Sequence, residues 1–141
     1  MEELKQFLQE NKIEYQICSY DPNVKSTTLA ADQMNLKVNQ IVKSLLVLKK
    51  NKYYLLLLSS DNKVSNNQYK MADKDKIKEI TGYELGSVTP FFLKSNIDII
   101  LDEKVQKLDK VSIASGTRGY DILLSPQDLI KLVNARIEKL T

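Results

Sequence analysis

Two apolar runs lie close together in the chain. The first goes from Ile41 to Lys49 and the second from Tyr53 to Ser59, and only the polar break Lys50-Asn51-Lys52 parts them. Both are rich in β-branched and large apolar residues, and each is too short for a packed helix. Strands of this composition joined by so short a polar turn read as a β-hairpin. A chain with such a hairpin needs further strands or helices to cover it.

Those partners are legible on either side. Leu4, Phe7 and Leu8 recur at helical spacing between Glu2 and Asn11, and the alternation from Tyr15 to Ser19 predicts a short strand. Asp21-Pro22-Asn23 is a turn. A helix follows, capped by Ser26 or Thr27 and running to Met34. The stretch from Asn66 to Met71 has a helical composition. Asp73 is placed to cap a helix through Ile77 and Ile80 that ends at Gly82. Residues 86–90 read as loop, and strands are expected at 97–101, 111–114 and 120–124. Ser125-Pro126-Gln127-Asp128 has the signature of a helix start: a hydroxyl cap, proline at the first helical position and an acid in the first turn. Leu129, Ile130, Leu132, Val133 and Ile137 would form that last helix's buried face. Strands and helices do not alternate strictly. The expected fold is therefore α+β, with a mixed, mostly antiparallel sheet flanked by helices. The 141 residues fit one domain, 1–141, without repeat or linker.

Composition restricts the chemistry. The chain has no histidine and one cysteine, Cys18. Ser-His-Asp and Cys-His catalysis and every histidine-based metal site are excluded. The net charge of +3 permits a local basic patch without requiring one. No apolar run approaches the roughly 20 residues of a bilayer span, and the amphipathic, acidic first ten residues lack the apolar core of a secretory signal. These features lead us to expect a cytoplasmic protein with no membrane partner, no metal and no cofactor. Cys18 has no neighbour in sequence that would lower its pKa, and reads as a small core residue.

Several segments have both a chemical and a bland reading. Lys43 shares a strand face with Leu45 and Val47. A charge there either holds an anion or an ester carbonyl, or snorkels to water from an edge strand. The loop Gly82-Tyr83-Glu84-Leu85-Gly86-Ser87-Val88-Thr89-Pro90 can bring backbone close to a ligand, or simply end a helix. Ser115-Gly116-Thr117-Arg118-Gly119 links two strands. Its backbone N–H groups could polarise a carbonyl and Arg118 could bind phosphate, or its glycines could merely serve a turn. Asp98 and Asp102 flank a strand and could orient a lysine or a water. Lys49, Lys50, Lys52 and Lys63 suggest a basic rim around the hairpin.

In order and spacing these segments resemble the YbaK/prolyl-tRNA-editing family of aminoacyl-tRNA deacylases. The resemblance runs from about Thr27 to Leu132. It rests on Thr28-Leu29-Ala30-Ala31, Lys43-Ser44-Leu45, Thr81-Gly82-Tyr83 with Gly86-Ser87-Val88-Thr89-Pro90, Asp102-Glu103, Ser115-Gly116-Thr117-Arg118-Gly119, and Leu124-Ser125-Pro126-Gln127-Asp128-Leu129. It implies a sheet curled toward a barrel and a pocket for the aminoacyl end of tRNA. Lys43 would line that pocket, and Gly116 would lie beside the scissile ester. Ser44, Gly86, Ser87, Thr89, Asp102, Ser115, Thr117 and Arg118 are the implied substrate-binding positions. The implied activity is trans-editing: hydrolysis of a mischarged tRNA, such as cysteine or a similar small amino acid on tRNA-Pro or tRNA-Cys. An aminoacyl-tRNA synthetase is a candidate partner. The family's metal-free chemistry suits a chain without histidine. Two departures stand out. Pro90-Phe91-Phe92 occupies the place of Pro-x-Gly, and a C-terminal histidine found in the subgroup that clears alanine from prolyl-tRNA is missing. The contrasting expectation is a non-catalytic module that holds tRNA ends, a nucleotide or a synthetase in the same pocket.

Overall fold

The structure is a computed structural model that describes all residues, Met1–Thr141. The two apolar runs form strands β2 (Ile41–Lys49) and β3 (Lys52–Ser59), paired antiparallel from Val42↔Ser59 to Lys49↔Lys52. Lys50 and Asn51 both take positive φ, 49° and 64°. That is the geometry of a tight hairpin turn whose twist matches the strands. Leu55 and Leu57 point to one core cluster while Leu56 and Leu58 point to another. With both faces covered, the run is apolar throughout and does not alternate.

The remaining strands are β1 (Gln16–Ser19), β4 (Lys70–Met71), β5 (Asp98–Asp102), β6 (Val111–Ala114), β7 (Tyr120–Leu124) and β8 (Arg136–Glu138). They build one mixed sheet of eight strands in the order β1-β7-β6-β2-β3-β5-β8, with β4 also on β2. The pairs β1/β7, β6/β7, β2/β3 and β2/β4 are antiparallel, and β2/β6, β3/β5 and β5/β8 are parallel. The sheet does not close into a barrel, because β1 and β8 remain the two ends of the path. Helices α1 (Glu2–Glu10), α2 (Thr27–Met34), α3 (Lys74–Thr81), α4 (Glu103–Gln106) and α5 (Pro126–Val133) flank it. Leu4 and Leu8 of α1, Ile77 of α3, Val105 of α4 and Leu129 of α5 complete the main core. No helix is long and apolar enough to cross a membrane.

Caps follow the expected chemistry at α2 and α5. The Ser26 hydroxyl accepts from the Leu29 N–H and the Ser125 hydroxyl from the Asp128 N–H, both at 3.1 Å. Asp73 does precede α3, but its side chain makes no capping bond. Three expectations are corrected. Residues 66–71 are not helical: Asn66 Oδ1 accepts from the Gln68 N–H and turns the chain, and Lys70–Met71 pair with Leu48 and Val47. Ile137 does not extend the last helix. Asn134, in the left-handed region at φ 53°, stops α5, and Ile137 pairs with Leu101 in β8. Cys18 is half-buried on the end strand β1 and belongs to neither core cluster.

Candidate active site

The edge of β2 opposite β3 is shared by two short strands. β6 pairs with it at Ile41 and Val42, and β4 at Val47 and Leu48. Between them, from Lys43 to Leu45, no strand lies against this edge. The sheet is split there, and a cleft of about 370 Å³ opens at the split. Its floor is the stretch of β2 from Ile41 to Leu46, between Ala114 at the end of β6 and Met71 of β4. One wall is the β1–α2 connection with the start of α2, which contributes Tyr20, Pro22, Val24, Lys25, Ser26 and Thr27. The other carries Leu85, Gly86 and Val88 from the loop after α3.

Three cations line this space, Lys25, Lys43 and Arg118, and none of them is in an ion pair. The Lys43 ammonium donates to the Asn62 carbonyl at 2.6 Å and, at the limit, to that of Ser60 at 3.5 Å. Burial pushes its pKa down, opposed by Asp61 and assisted by Lys63. A cation held by carbonyls alone keeps capacity for an anion or a polarised carbonyl oxygen. The Ser44 hydroxyl beside it is buried without a hydrogen-bond partner.

One carboxylate, Asp121 of β7, lines the same space and is only 5% exposed. It sits opposite Ala114 and Cys18 in register. The Ser112 hydroxyl donates to its Oδ2 at 2.7 Å, while no protein donor reaches Oδ1. Burial pushes its pKa up, partly offset by the Ser112 bond. The same carboxylate, after burial, pushes the Cys18 thiol up, so Cys18 is a poor nucleophile here. Sequence reasoning missed Asp121. Its signal was a single acid inside the apolar strand from Tyr120 to Leu124. Lys25 and Tyr20 were missed as well, for they lie in a turn without a motif.

The expected site residues divide. Lys43, Ser44, Gly86 and Arg118 line the cleft. Gly116 lies between the lining residues Ala114 and Arg118, at φ +96°. A Cβ on it would stand 2.9 Å from the Tyr83 ring and 3.5 Å from Thr89 Cγ2, so only glycine fits this turn. No protein acceptor takes the Gly116 N–H. Tyr83 is fixed by its hydroxyl, which donates to the Phe91 carbonyl. The Thr89 hydroxyl is fully buried and unpartnered. Ser115 Oγ donates to the Tyr120 carbonyl at 2.7 Å and accepts from the Thr117 N–H at 3.1 Å, which shapes the turn. Ser87 is buried and is not among the residues that line the cleft, although its neighbours Gly86 and Val88 are. Asp102 lies elsewhere. It is fully buried, and its oxygens accept from the Leu140 N–H at 2.9 Å and the Thr141 hydroxyl at 3.0 Å. That ties the C-terminal residues to β5. Asp98 pairs with Lys52 and Arg136 at the hairpin end. The four lysines do not form one rim: Lys49 packs over the Tyr69 ring at that end, whereas Lys63 lies near Lys43. Nowhere do three or more His, Cys, Asp or Glu side chains gather as a metal site would require.

Residues 21–132 match the sequence model of the aminoacyl-tRNA editing domain. The chain belongs to this family. An editing domain is a hydrolase of the aminoacyl-tRNA ester, and the split-sheet cleft is its candidate site. The protein is 26% identical over 132 residues to the uncharacterised protein YwhH of Bacillus subtilis, covering 87% of this chain and 83% of that one. A 76-residue stretch is 26% identical to EbsC of Enterococcus faecalis, provisionally named a Cys-tRNA(Pro)/Cys-tRNA(Cys) deacylase; the match covers 54% of this chain and 46% of EbsC. Over 108 residues it is 30% identical to the proline–tRNA ligase of Streptococcus agalactiae, covering 70% of this chain and 18% of the ligase. The editing-domain fold recurs in a solved structure described as a candidate trans-editing enzyme for prolyl-tRNA synthetase. That match has a TM-score of 0.86 at 23% identity and covers 99% of this chain and 95% of the other. The hypothetical protein APE2540 matches with the same TM-score at 20% identity, covering 97% of each chain.

Proposed function

We propose that the protein, as one domain over residues 1–141, acts in trans on tRNA charged with a wrong small amino acid, cysteine or one of similar size, on tRNA-Pro or tRNA-Cys. The observation that carries this reading is the pairing of opposite charges in one cleft: the Lys43 ammonium, held only by carbonyls, and the Asp121 carboxylate with a free oxygen. The aminoacyl end of a tRNA carries the complementary groups, a phosphate and an α-ammonium. The names borne by EbsC and by the trans-editing neighbour support the choice of substrate.

In this mechanism Lys43, with Lys25 on the rim, holds the terminal phosphate or polarises the ester carbonyl, and Asp121 receives the α-ammonium. The Gly116 N–H stabilises the oxyanion that forms as water, positioned by the substrate's own hydroxyl or thiol, adds to the carbonyl carbon and gives up a proton. The C–O bond to the ribose then breaks and the ribose oxygen recovers a proton. Ser44, a cleft residue whose hydroxyl has no partner in the protein, positions the substrate or the attacking water, and Thr89, fully buried beside Gly116, supports that turn from behind. The ester is already activated, so placement and polarisation suffice without a histidine base. A prolyl-tRNA synthetase, which supplies the mischarged tRNA, is the matching partner, and the cytoplasm the matching compartment.

The test is deacylation of a panel of mischarged tRNAs, cysteinyl- and alanyl-tRNA among them, by the wild type and by Lys43→Ala. One or two substrates should lose their label, and the variant should be slower by about 10²-fold or more while its thermal unfolding stays cooperative. A protein that binds these tRNAs but leaves every ester intact would instead be a binding module. A folded Lys43→Ala protein at the wild-type rate would remove Lys43 from the mechanism.

A further inference from the structure

We propose that Arg118 is a positioning residue that latches the cleft wall of residues 20–25 to the turn bearing Gly116, rather than a ligand of the tRNA phosphate. The inference deepens the editing reading and rests on it for its kinetic arm.

The wall is a connection without regular structure between β1 and α2. Its own hydrogen bonds are local: the Val24 N–H donates to the Asp21 carbonyl at 3.1 Å and the Asn23 N–H to Asp21 Oδ1 at 2.9 Å. A single bond ties it to α2, from the Asp21 N–H to Gln33 Oε1 at 2.6 Å. On the cleft side it is tied to one element only, the turn after β6. The Arg118 guanidinium donates to the Pro22 carbonyl at 2.9 Å, and the Tyr20 N–H donates to the Gly119 carbonyl at 2.9 Å. The two backbones touch there. A Cβ on Gly119, at φ +92°, would stand 3.2 Å from the Tyr20 carbonyl oxygen and 3.5 Å from Pro22 Cδ. Glycine at 119 is thus what lets the wall come this close.

The consequence is geometric. Tyr20, Pro22, Val24 and Lys25 line the cleft from the wall, and Gly116, whose N–H no protein acceptor takes, belongs to the same turn that holds the wall, between the lining residues Ala114 and Arg118. The bond from Arg118 therefore sets the distance between the groups that surround the substrate and the donor that would meet the oxyanion. Errors of about 1 Å in such a distance cost rate even when binding persists. An arginine used for a carbonyl in this way has no carboxylate partner to replace, and Arg118 has none.

Two readouts separate a latch from a phosphate ligand. Amide exchange of residues 20–25 in the free protein reports the latch without any need for activity. The salt dependence of kcat/KM on a mischarged tRNA reports phosphate contacts. Arg118→Gln should speed exchange in the wall and lower kcat roughly tenfold, with the slope of log kcat/KM against log salt unchanged. Gly119→Ala, which pushes the wall away and leaves the arginine charge in place, should reproduce both effects. A slope that falls by nearly one in Arg118→Gln, with exchange of residues 20–25 as in the wild type, overturns the proposal and makes Arg118 a phosphate ligand. If the wild type deacylates nothing, the editing reading fails, and the exchange data alone still decide whether Arg118 holds the wall.

Discussion

Replacing Gly116 by alanine tests the most constrained point of the site. Its φ of +96° is a region that a side chain enters only at a cost, about 1–3 kcal/mol for a residue held in a sparsely populated conformation. The new methyl would also lie 2.9 Å from Tyr83 Cε1. No real Cβ tolerates that contact, so the ring must move and its hydroxyl gives up the bond to the Phe91 carbonyl. That loss adds about 0.5–1.5 kcal/mol. The two together come to about 2–4 kcal/mol. For a chain of this length the melting temperature should fall by roughly 8–16 °C.

Thermal unfolding followed by circular dichroism measures this fall, and deacylation at a temperature where both proteins are folded measures the catalytic loss. The strain and the clash can be separated. In a Tyr83→Leu background the ring is gone, so the alanine should cost only the conformational part, and the double-mutant cycle should show a coupling of about 1 kcal/mol. A fall of less than about 3 °C in melting temperature, with deacylation intact, would refute both the close approach of Tyr83 and the use of the Gly116 N–H.

Asp121→Asn keeps an acceptor for the Ser112 hydroxyl and removes a buried charge. Since burial raises the folded-state pKa of Asp121, its stabilising protonated form is complete below the ordinary carboxylate pKa and is lost as pH rises through the raised value. The variant should therefore melt higher than the wild type near pH 7, and the gap should close as pH falls toward about 4; a gap that widens on acidification would contradict the assignment. The same variant should lose deacylation mainly through a higher KM. Asp102→Ala leaves the Leu140 N–H buried without an acceptor, at a cost of about 1–3 kcal/mol, yet should deacylate at nearly the wild-type rate below its melting transition, because Asp102 lies outside the cleft.

Local chemistry made much of the fold legible. The β2–β3 hairpin shows in its two apolar runs, and α2 and α5 show in their hydroxyl caps. What escaped depends on distant partners. Lys70–Met71 are two residues without β signature, and they form a strand only because the end of β2 offers them an edge. Arg136–Glu138 has charged ends and follows Asn134, whose left-handed turn stops α5 early and frees Ile137 for β5. The cleft escaped for the same reason. It exists because β6 and β4 each cover part of one edge of β2, and no residue within Lys43-Ser44-Leu45 announces that nothing lies beside it. Individual chemistry was easier to find than its placement. Lys43 was visible as a charge on an apolar face, whereas Asp102 was read as a site residue until the structure put it under the C-terminal residues, and Asp121, which no motif marked, proved to be the carboxylate in the cleft.

The electrostatics of that cleft bear on how a chain without histidine can edit. Burial disfavours the charge on both Lys43 and Asp121, and the protein hydrogen-bonds each only through neutral groups, carbonyls for the ammonium and one hydroxyl for the carboxylate, with Asp61 acting on Lys43 from a distance. A ligand that brings a phosphate to the first and an ammonium to the second relieves both penalties at once, which neither half of it can do alone. A free amino acid lacks the phosphate. An uncharged tRNA lacks the ammonium. The two arise together when the ester is hydrolysed, so cleavage separates the groups whose joint presence favours binding. Each product then meets only one compensated charge. A charge pattern that favoured aminoacylated over bare tRNA in this way would also weaken the grip on what the reaction leaves behind.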